Sequence, residues 1–437
     1  MFVRIRFDGK FILAAIAVLG TALLLTMAPG AVAQNTVPDA MPTGTETVLH
    51  SFGEGPTAGK CNVPDGADPR GSLTFVTGTG LLFGRTATTT SGGNGFGTVF
   101  QIMPSGTGYV VDHSFTGTKS DGSDPQHNSM TLVGTVLYGT TLTGGQHNNG
   151  SIFSINDDGT GYSSPLLFNF PTSAANNLGD MPFSNFVAIG SVLYGMASQG
   201  GHHGGLTGDG DIFSFDTTTG TYTRLHSFAG GNGFDPHGQL ILDPNGTTFY
   251  GMTPVGGAAN VGVIFSFNMA KNKYKVLHDF ACPNNGSPMC VDSNNGATPD
   301  HGTLVQNGTM LFGMTTAGGK YGAGTLFSIH TDGTHFKIVQ QFGKPGTNDG
   351  INPYGSLLLN GTVLYGTTRL GGSKGDGTVF QINTDGTNYD RIWEFQGAPD
   401  ASKPIDNVIL VDNALYGMTE VGGQCGNGTI FSLVPPP

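Results

Sequence analysis

The sequence predicts an all-β chain, a seven-bladed β-propeller of four-stranded antiparallel blades, and three observations carry that expectation. One unit of strand, Gly-rich loop and strand recurs seven times, as in TVLYGTTRLGGSKGDGTVFQI at 362–382. The glycine after its aromatic falls at Gly84, Gly139, Gly195, Gly251, Gly313, Gly366 and Gly417, at steps of 51 to 62 residues. A period of that length belongs to propellers and solenoids. Two further strand-like segments accompany each unit, so each repeat holds four short strands. The third observation is a split repeat: a lone strand at 45–52 precedes the first unit, and the last unit lacks its fourth strand. Pairing the two closes a ring, which an open solenoid would not need.

In chain order, residues 1–33 have the layout of a secretory signal peptide. Arg4, Arg6 and Lys10 come first, then an apolar run over 11–27, then Ala31-Val32-Ala33. Cleavage after Ala33 is expected, with an uncleaved anchor as the alternative. Residues 34–44 are polar and Pro-bearing, a linker, and the propeller is expected over 45–434. Within each repeat the strands are named A to D. Strand A reads GSLTFV at 71–76 and GSLLLN at 355–360; B is the VLYGTT type, C the GTVFQI type and D the YxxLHSF type. Strands A to C are apolar on successive residues, which suits blades covered on both faces. Turns such as Asp158-Gly159, Asp332-Gly333 and Asp385-Gly386 join C to D, since Asp-Gly accepts the positive φ of a hairpin. A [DN]-G-x-x-P loop leads into strand A from Asp65, Asp121, Asn232, Asn295 and Asp349. The third repeat lacks the acid (Gly179…Pro182), and the seventh lacks the glycine (Asp400-Ala401…Pro404).

The LYGTTxxGG…GTVF unit with its following LHSF strand resembles the Gloeo_Verruco repeat of the choice-of-anchor tandem repeat GloVer-containing proteins. The likeness spans nearly all of 45–433. It implies a secreted or surface protein, in a family where some members carry C-terminal anchoring signals. No such signal is read at Pro435-Pro436-Pro437, and the resemblance supplies no catalytic residues.

Only 11% of the residues are charged, 73 are glycine, and the formal net charge is −12. The glycines recur at fixed offsets beside Val, Ile, Phe and Tyr, so they punctuate strands rather than mark disorder. An acidic chain with no basic cluster argues against nucleic acid and anionic membrane surfaces. A soluble, extracytoplasmic monomer is expected once the leader is removed, with no stable membrane insertion. Four cysteines in an exported chain permit three pairings. Cys282 and Cys290 share one D–A loop and should pair locally. Cys61 follows the lone D strand and Cys425 lies in the last B–C loop; both loops share a face, so Cys61–Cys425 should staple the ring beside its closure.

Residues that could carry chemistry fall into sets. His50, His113, His226 and His278 hold one position on strand D of different blades, so packing is their expected role. The aromatic before each B-strand glycine is required seven times and reads as interblade packing. The [DN]-G-x-x-P loops offer one carboxylate each, too few for calcium, and read as turns. No HExxH, no GxSxG and no phosphate loop is present. What differs between repeats is more informative. Three residues before an apolar position of strand A stand Arg70, His127, Phe183, His237, His301, Tyr354 and Ile405. Strand A is innermost in a propeller, so these should ring one mouth of the central channel, with His202 and His203 on the same face. Arg70, His127, His237, His301 and Tyr354 are the candidate ligand-binding residues. No catalytic residue and no cofactor is implied. A metal is left open, three imidazoles being able to hold a transition ion. The expected function is a binding or interaction module for an envelope glycan or protein. The alternative is a polymer-acting lyase or hydrolase with its site at the channel mouth, and a third reading is a surface-layer component.

Overall fold

The computed structural model describes residues 3–7, 10–14, 44–55, 60–61, 63–88, 95–127, 129–163, 166–171, 178–202, 208–282, 290–291 and 295–436, the first two spans by backbone alone. The chain divides into two units, 1–40 and 41–437. In the first, Val3–Phe7 pairs with Lys10–Ala14 in an antiparallel hairpin. The rest of the expected leader and the linker up to residue 43 lie outside the described residues.

The second unit is the seven-bladed propeller. Blade 1 runs in order through Thr74–Val76, Leu81–Thr86, Thr98–Ile102 and Val110–Ser114. Blades 2 to 6 repeat that meander, with B strands at Val136–Thr141, Val192–Ala197, Thr248–Thr253, Met310–Thr315 and Val363–Thr368. Blade 7 is assembled from both ends of the chain. Ile409–Val411, Ala414–Thr419 and Thr429–Val434 are completed by Thr45–Ser51, with Thr45 opposite Val434 and Ser51 opposite Thr429. The closure read from the split repeat is therefore the observed one. Cys61–Cys425 and Cys282–Cys290 are both disulfides, as expected.

Among the described residues the core falls into eight clusters: seven span one pair of adjacent blades each, and a small eighth surrounds Cys282, Cys290 and Ala297. Leu82 and Phe100 of blade 1 pack with Tyr416 and Ile430 of blade 7, which makes the ring continuous. The aromatic before each B-strand glycine faces the following blade, as expected: Phe83 packs with blade 2 and Tyr365 with blade 7. The glycine itself is dictated by strand C. A Cβ at Gly84 would sit 2.3 Å from Phe100 Cζ, and at Gly251 2.5 Å from Phe265 Cζ. The large ring on C and the missing side chain on B are one packing device, and this explains why the pair repeats.

Three features differ from the sequence reading. Strand A is shorter than its apolar run: three residues in six blades and two in blade 4, Ile241–Leu242. In blade 2 the D strand shrinks to Phe168–Asn169. Each blade also carries a second, minimal pairing between its entry loop and its B–C loop, such as Gly122–Ser123 with Thr143–Gly144 and Gly350–Ile351 with Leu370–Gly371. In blades 1 and 4 this is a single bridge. These pairings stiffen the face that bears the mouth residues.

Candidate functional site

The repeated histidines are structural. Each strand-D histidine stacks on the D-strand aromatic of the next blade: His50 on Tyr109 at 3.7 Å, His113 on Tyr162 at 3.5 Å, His226 on Tyr274 at 4.0 Å, His278 on Phe336 at 3.8 Å. At the first two the loop acid joins the pair, Asp65 and Asp121, and at the other two the loop residue is Asn232 or Asn295. Asp121 accepts from the Tyr162 hydroxyl at 2.7 Å, from Thr116 N at 2.8 Å, and lies 3.2 Å from His113 Nε2. Burial by itself would raise its pKa, but these bonds hold it well below the usual carboxylate range. The acid missing from the third repeat is replaced from elsewhere: Asp211 on strand C receives the Tyr222 hydroxyl at 3.0 Å. Burial pushes Asp211 up to about 7. At the closure seam the tyrosine position is held by Glu46, which meets Asp400; burial and that carboxylate raise Glu46 to about 8.

The mouth residues are placed by the loop proline. The residue before it has a left-handed backbone in all seven repeats, with φ between 52° and 60° at Asp68, Asp124, Met181, Asp235, Thr298, Asn352 and Lys403. This turn drives the proline into the preceding blade. A Cβ on Gly97 would meet Pro125 Cδ at 2.6 Å, and one on Gly428 would meet Pro69 Cδ at 2.6 Å across the closure. The chain then turns toward the axis. Repeats 2 and 5 hold one extra residue here, Gln126-His127 and Asp300-His301 where repeat 4 has His237 alone. In both, the histidine itself adopts a left-handed φ, 54° at His127 and 56° at His301. Such backbone is uncommon for a residue with a Cβ and marks a constrained position.

Four of the five candidates meet at the axis. His127 of blade 2 and His301 of blade 5 stack at 3.8 Å although their blades are not neighbours. His237 lies 4.6 Å from His301, Tyr354 lies 4.8 Å from it, and Phe183 is 4.4 Å from His237. His127 is 4% exposed and His301 5%. The rings therefore fill the mouth. From below, the buried Arg85 guanidinium donates to the carbonyls of His127 at 2.7 Å and Thr140 at 2.9 Å. Burial lowers Arg85 to about 10.

The residue sequence reasoning missed is Asp300. Its Oδ1 lies 2.7 Å from His237 Nδ1 and 3.3 Å from His301 Nε2, and the Tyr354 hydroxyl donates to it. The other His237 nitrogen faces Asp235 Oδ1 at 3.1 Å. Burial would lower His237, yet Asp235 and Asp300 raise it to about 10. Burial takes His301 down to about 4 and His127 well below its ordinary value. Burial would raise Asp300, but His301 and His237 hold it at about 2. The signal for Asp300 was present in the sequence, as the extra residue between Pro299 and Gly302.

Arg70 stands apart from the axial group, on the rim. Its guanidinium makes a two-point contact with Asp68, Nε to Oδ1 and Nη2 to Oδ2, both at 2.8 Å, and reaches Glu420 at 3.5 Å. Arg369 shares Glu420 at 2.7 Å. Beside Arg70 opens a cleft of about 400 Å³, lined among others by Asp68, Asp124, Gln126, Asn148 and Phe96. His202 is exposed and His203 lies outside the described residues.

The fold and mouth define a repeat β-propeller whose variable residues gather on one face. The chain belongs to the Gloeobacter/Verrucomicrobia repeat family, which matches residues 137–296 and 289–437. No curated protein matches it. Among solved structures it is similar to the GH74 xyloglucanase from Xanthomonas campestris, with 12% identity, 88% of this chain and 53% of that chain covered, and a TM-score of 0.52. A putative 6-phosphogluconolactonase from Bacteroides uniformis shares 15% identity over 79% of this chain and 88% of that one, with a TM-score of 0.48. At these identities the first likeness speaks for the fold alone. No helix among the described residues is long and apolar enough to cross a membrane.

Proposed function

We propose that this propeller is a non-enzymatic, extracytoplasmic binding module, and that its ligand is a glycan seated in the cleft between the entry loops of blades 1 and 2. The observation that supports this reading is the chemistry of the cleft lining. Carboxylates (Asp68, Asp124), amides (Gln126, Asn148) and a guanidinium (Arg70) stand beside the 37%-exposed ring of Phe96. Such groups supply paired donors and acceptors for vicinal hydroxyls, and the ring offers an apolar face for a sugar's C–H edge. A concave site with a few convergent polar groups is the usual form of a small-ligand pocket. The axial cluster gives a polymer-acting lyase or hydrolase no open general base, since His237 is held protonated and His127 and His301 are buried.

The test is calorimetric titration of the wild type with a panel of neutral and acidic oligosaccharides. Phe96→Ala and Gln126→Ala should each weaken the best ligand about tenfold, in line with the loss of one buried contact. The strand-D double variant His226→Ala/His278→Ala should bind as wild type. Absence of any glycan binding, or binding indifferent to both cleft variants, would overturn the reading.

A further inference from the structure

The axial cluster carries an inference independent of the glycan cleft. We propose that His237, Asp300 and His301 form a binding site for one divalent transition-metal ion, of the zinc class, at the centre of the mouth. The three side chains offer donor atoms that all lie within 4.8 Å of one another. A tetrahedral zinc with bonds of about 2.0–2.1 Å separates its donors by roughly 3.3 Å. Asp300 Oδ1 stands 2.7 Å from His237 Nδ1 and 3.3 Å from His301 Nε2. The Asp300 distances are thus within about 0.6 Å of that spacing, and the two imidazole donors, within 4.8 Å of each other, reach it by closing at most about 1.5 Å through rotation of the rings.

The surroundings are those a metal site requires. A ligating histidine typically donates its other ring N–H to a carboxylate, which fixes the ring and its tautomer. His237 does this with Asp235, at 3.1 Å on Nε2, while Nδ1 faces Asp300. The hydroxyl of Tyr354 donates to Asp300 and orients the ligating carboxylate. His301 is gripped between the rings of His127 and Tyr354. Its Nδ1 is buried and has no hydrogen-bond partner among the described residues, and the same holds for His127 Nδ1. Among the described residues those two Nδ1 atoms anchor nothing, and the one polar contact of the His301 ring is its Nε2 facing the proposed ligand Asp300 at 3.3 Å. Asp235 and Asp300 would neutralise a dication, which takes the place of the proton on His237 Nδ1. Two imidazoles and one carboxylate leave one position of the ion for water or an exogenous donor. His237 and Asp300 have side chains 15% and 20% exposed, so an ion can reach them from the mouth.

The experiment is titration of the EDTA-dialysed full-length protein with zinc chloride and, separately, with cobalt(II), followed by calorimetry and by the visible absorption of cobalt. One equivalent should bind, with cobalt absorption of tetrahedral intensity and a zinc-edge X-ray spectrum reporting two imidazoles. Asp300→Asn, which preserves shape, and His301→Ala should each lower the zinc affinity at least a hundredfold. Asp235→Asn, removing only the outer carboxylate, should lower it about 10–100-fold. It also serves if the ligand variants do not fold, as judged by their melting curves. His226→Ala should leave binding unchanged. A wild type that binds no zinc at 0.1 mM of added metal (~0.1 mM, the weak limit of a useful site) overturns the proposal. So does one equivalent retained by both Asp300→Asn and Asp235→Asn.

Discussion

At the seams between blades, one stacking device is copied: a D-strand histidine on the next blade's D-strand aromatic, in four seams, joined by a loop carboxylate in two of them, as in His113, Tyr162 and Asp121. At the mouth, the equivalent positions hold Arg70, His127, Phe183, His237, His301, Tyr354 and Ile405, and two of the seven loops are lengthened. The seams form between neighbours only, whereas the mouth brings blade 2 onto blade 5. A repeated contact needs only a good local geometry, which duplication copies. A contact at the axis is made once, so its residues are free to diverge toward a single task. The seams themselves divide in the same way. Where one repeat lost its loop acid, Asp211 restored the bond to Tyr222. Where the ring closes, Glu46 faces Asp400 in place of a tyrosine.

The largest test of this division is to break the ring where its two ends meet. Removing 44–52 takes away the D strand of blade 7 and leaves Thr429–Val434 as an open edge. Exposed strand edges template aggregation, so this variant should lose the soluble monomer peak in size-exclusion chromatography altogether. A soluble monomer with unchanged melting would mean that the closure is dispensable. Next in size is Gly251→Ala, which forces a methyl against the Phe265 ring. Overpacking of this kind costs about 1–3 kcal/mol, readable in urea melts. A neutral result would show that the B–C pair is less tight than its geometry implies.

The third test separates the closure seam from the ordinary seams by pH. Glu46 is raised from 4.5 to about 8, so the folded state holds its proton where the unfolded chain does not. Its contribution is full below pH 4.5 and is lost as pH rises through about 8. Asp121 is lowered, so its contribution is present above 3.8 and is lost as pH falls. Alkali should therefore loosen the closure, and acid the regular seams. Glu46→Gln should flatten the fall of unfolding free energy between pH 5 and 9, by about 1–2 kcal/mol after solvent screening, as read in urea melts. An unchanged alkaline slope in that variant would remove Glu46 as its cause.

How much of this was legible depends on whether a feature repeats or has a period. Blades, closure and both disulfides were readable, because seven copies of VLYGTT and GTVFQI fix the strand order and hence which loops share a face. The small entry-loop pairings were not, since two residues such as Gly350-Ile351 carry no alternation to detect. Nor was Asp211, which lies on strand C and replaces a loop acid more than thirty positions earlier in the chain. Variation between repeats singled out His127, His237 and His301, but which of them meet is set by the ring. Asp300 was passed over because the repeats were aligned on the apolar residue of strand A, which hid the insertion beside it. Arg85 lay in an otherwise regular B strand and drew no notice; its one signal was a guanidinium where other repeats have Thr or Met.

The smallest stability effect, and the finest cut between seam and mouth, is expected at Arg70. Its side chain is 34% exposed and its partners Asp68 and Glu420 lie at the rim. Ion pairs in such settings contribute about 0–1 kcal/mol, so Arg70→Ala should barely move the melting temperature. His113→Ala should cost more, about 1–3 kcal/mol, because it leaves the buried acceptors of Asp121 short of a partner. Binding should reverse the order. Arg70 stands at the cleft while His113 belongs to a seam, so a glycan that binds the wild type should lose affinity only in Arg70→Ala. Measuring both quantities on both variants gives a two-by-two comparison that stability loss alone cannot mimic. If His113→Ala weakened binding as much as Arg70→Ala, the seams and the mouth would not be separate in function, and the division drawn from the repeats would fall.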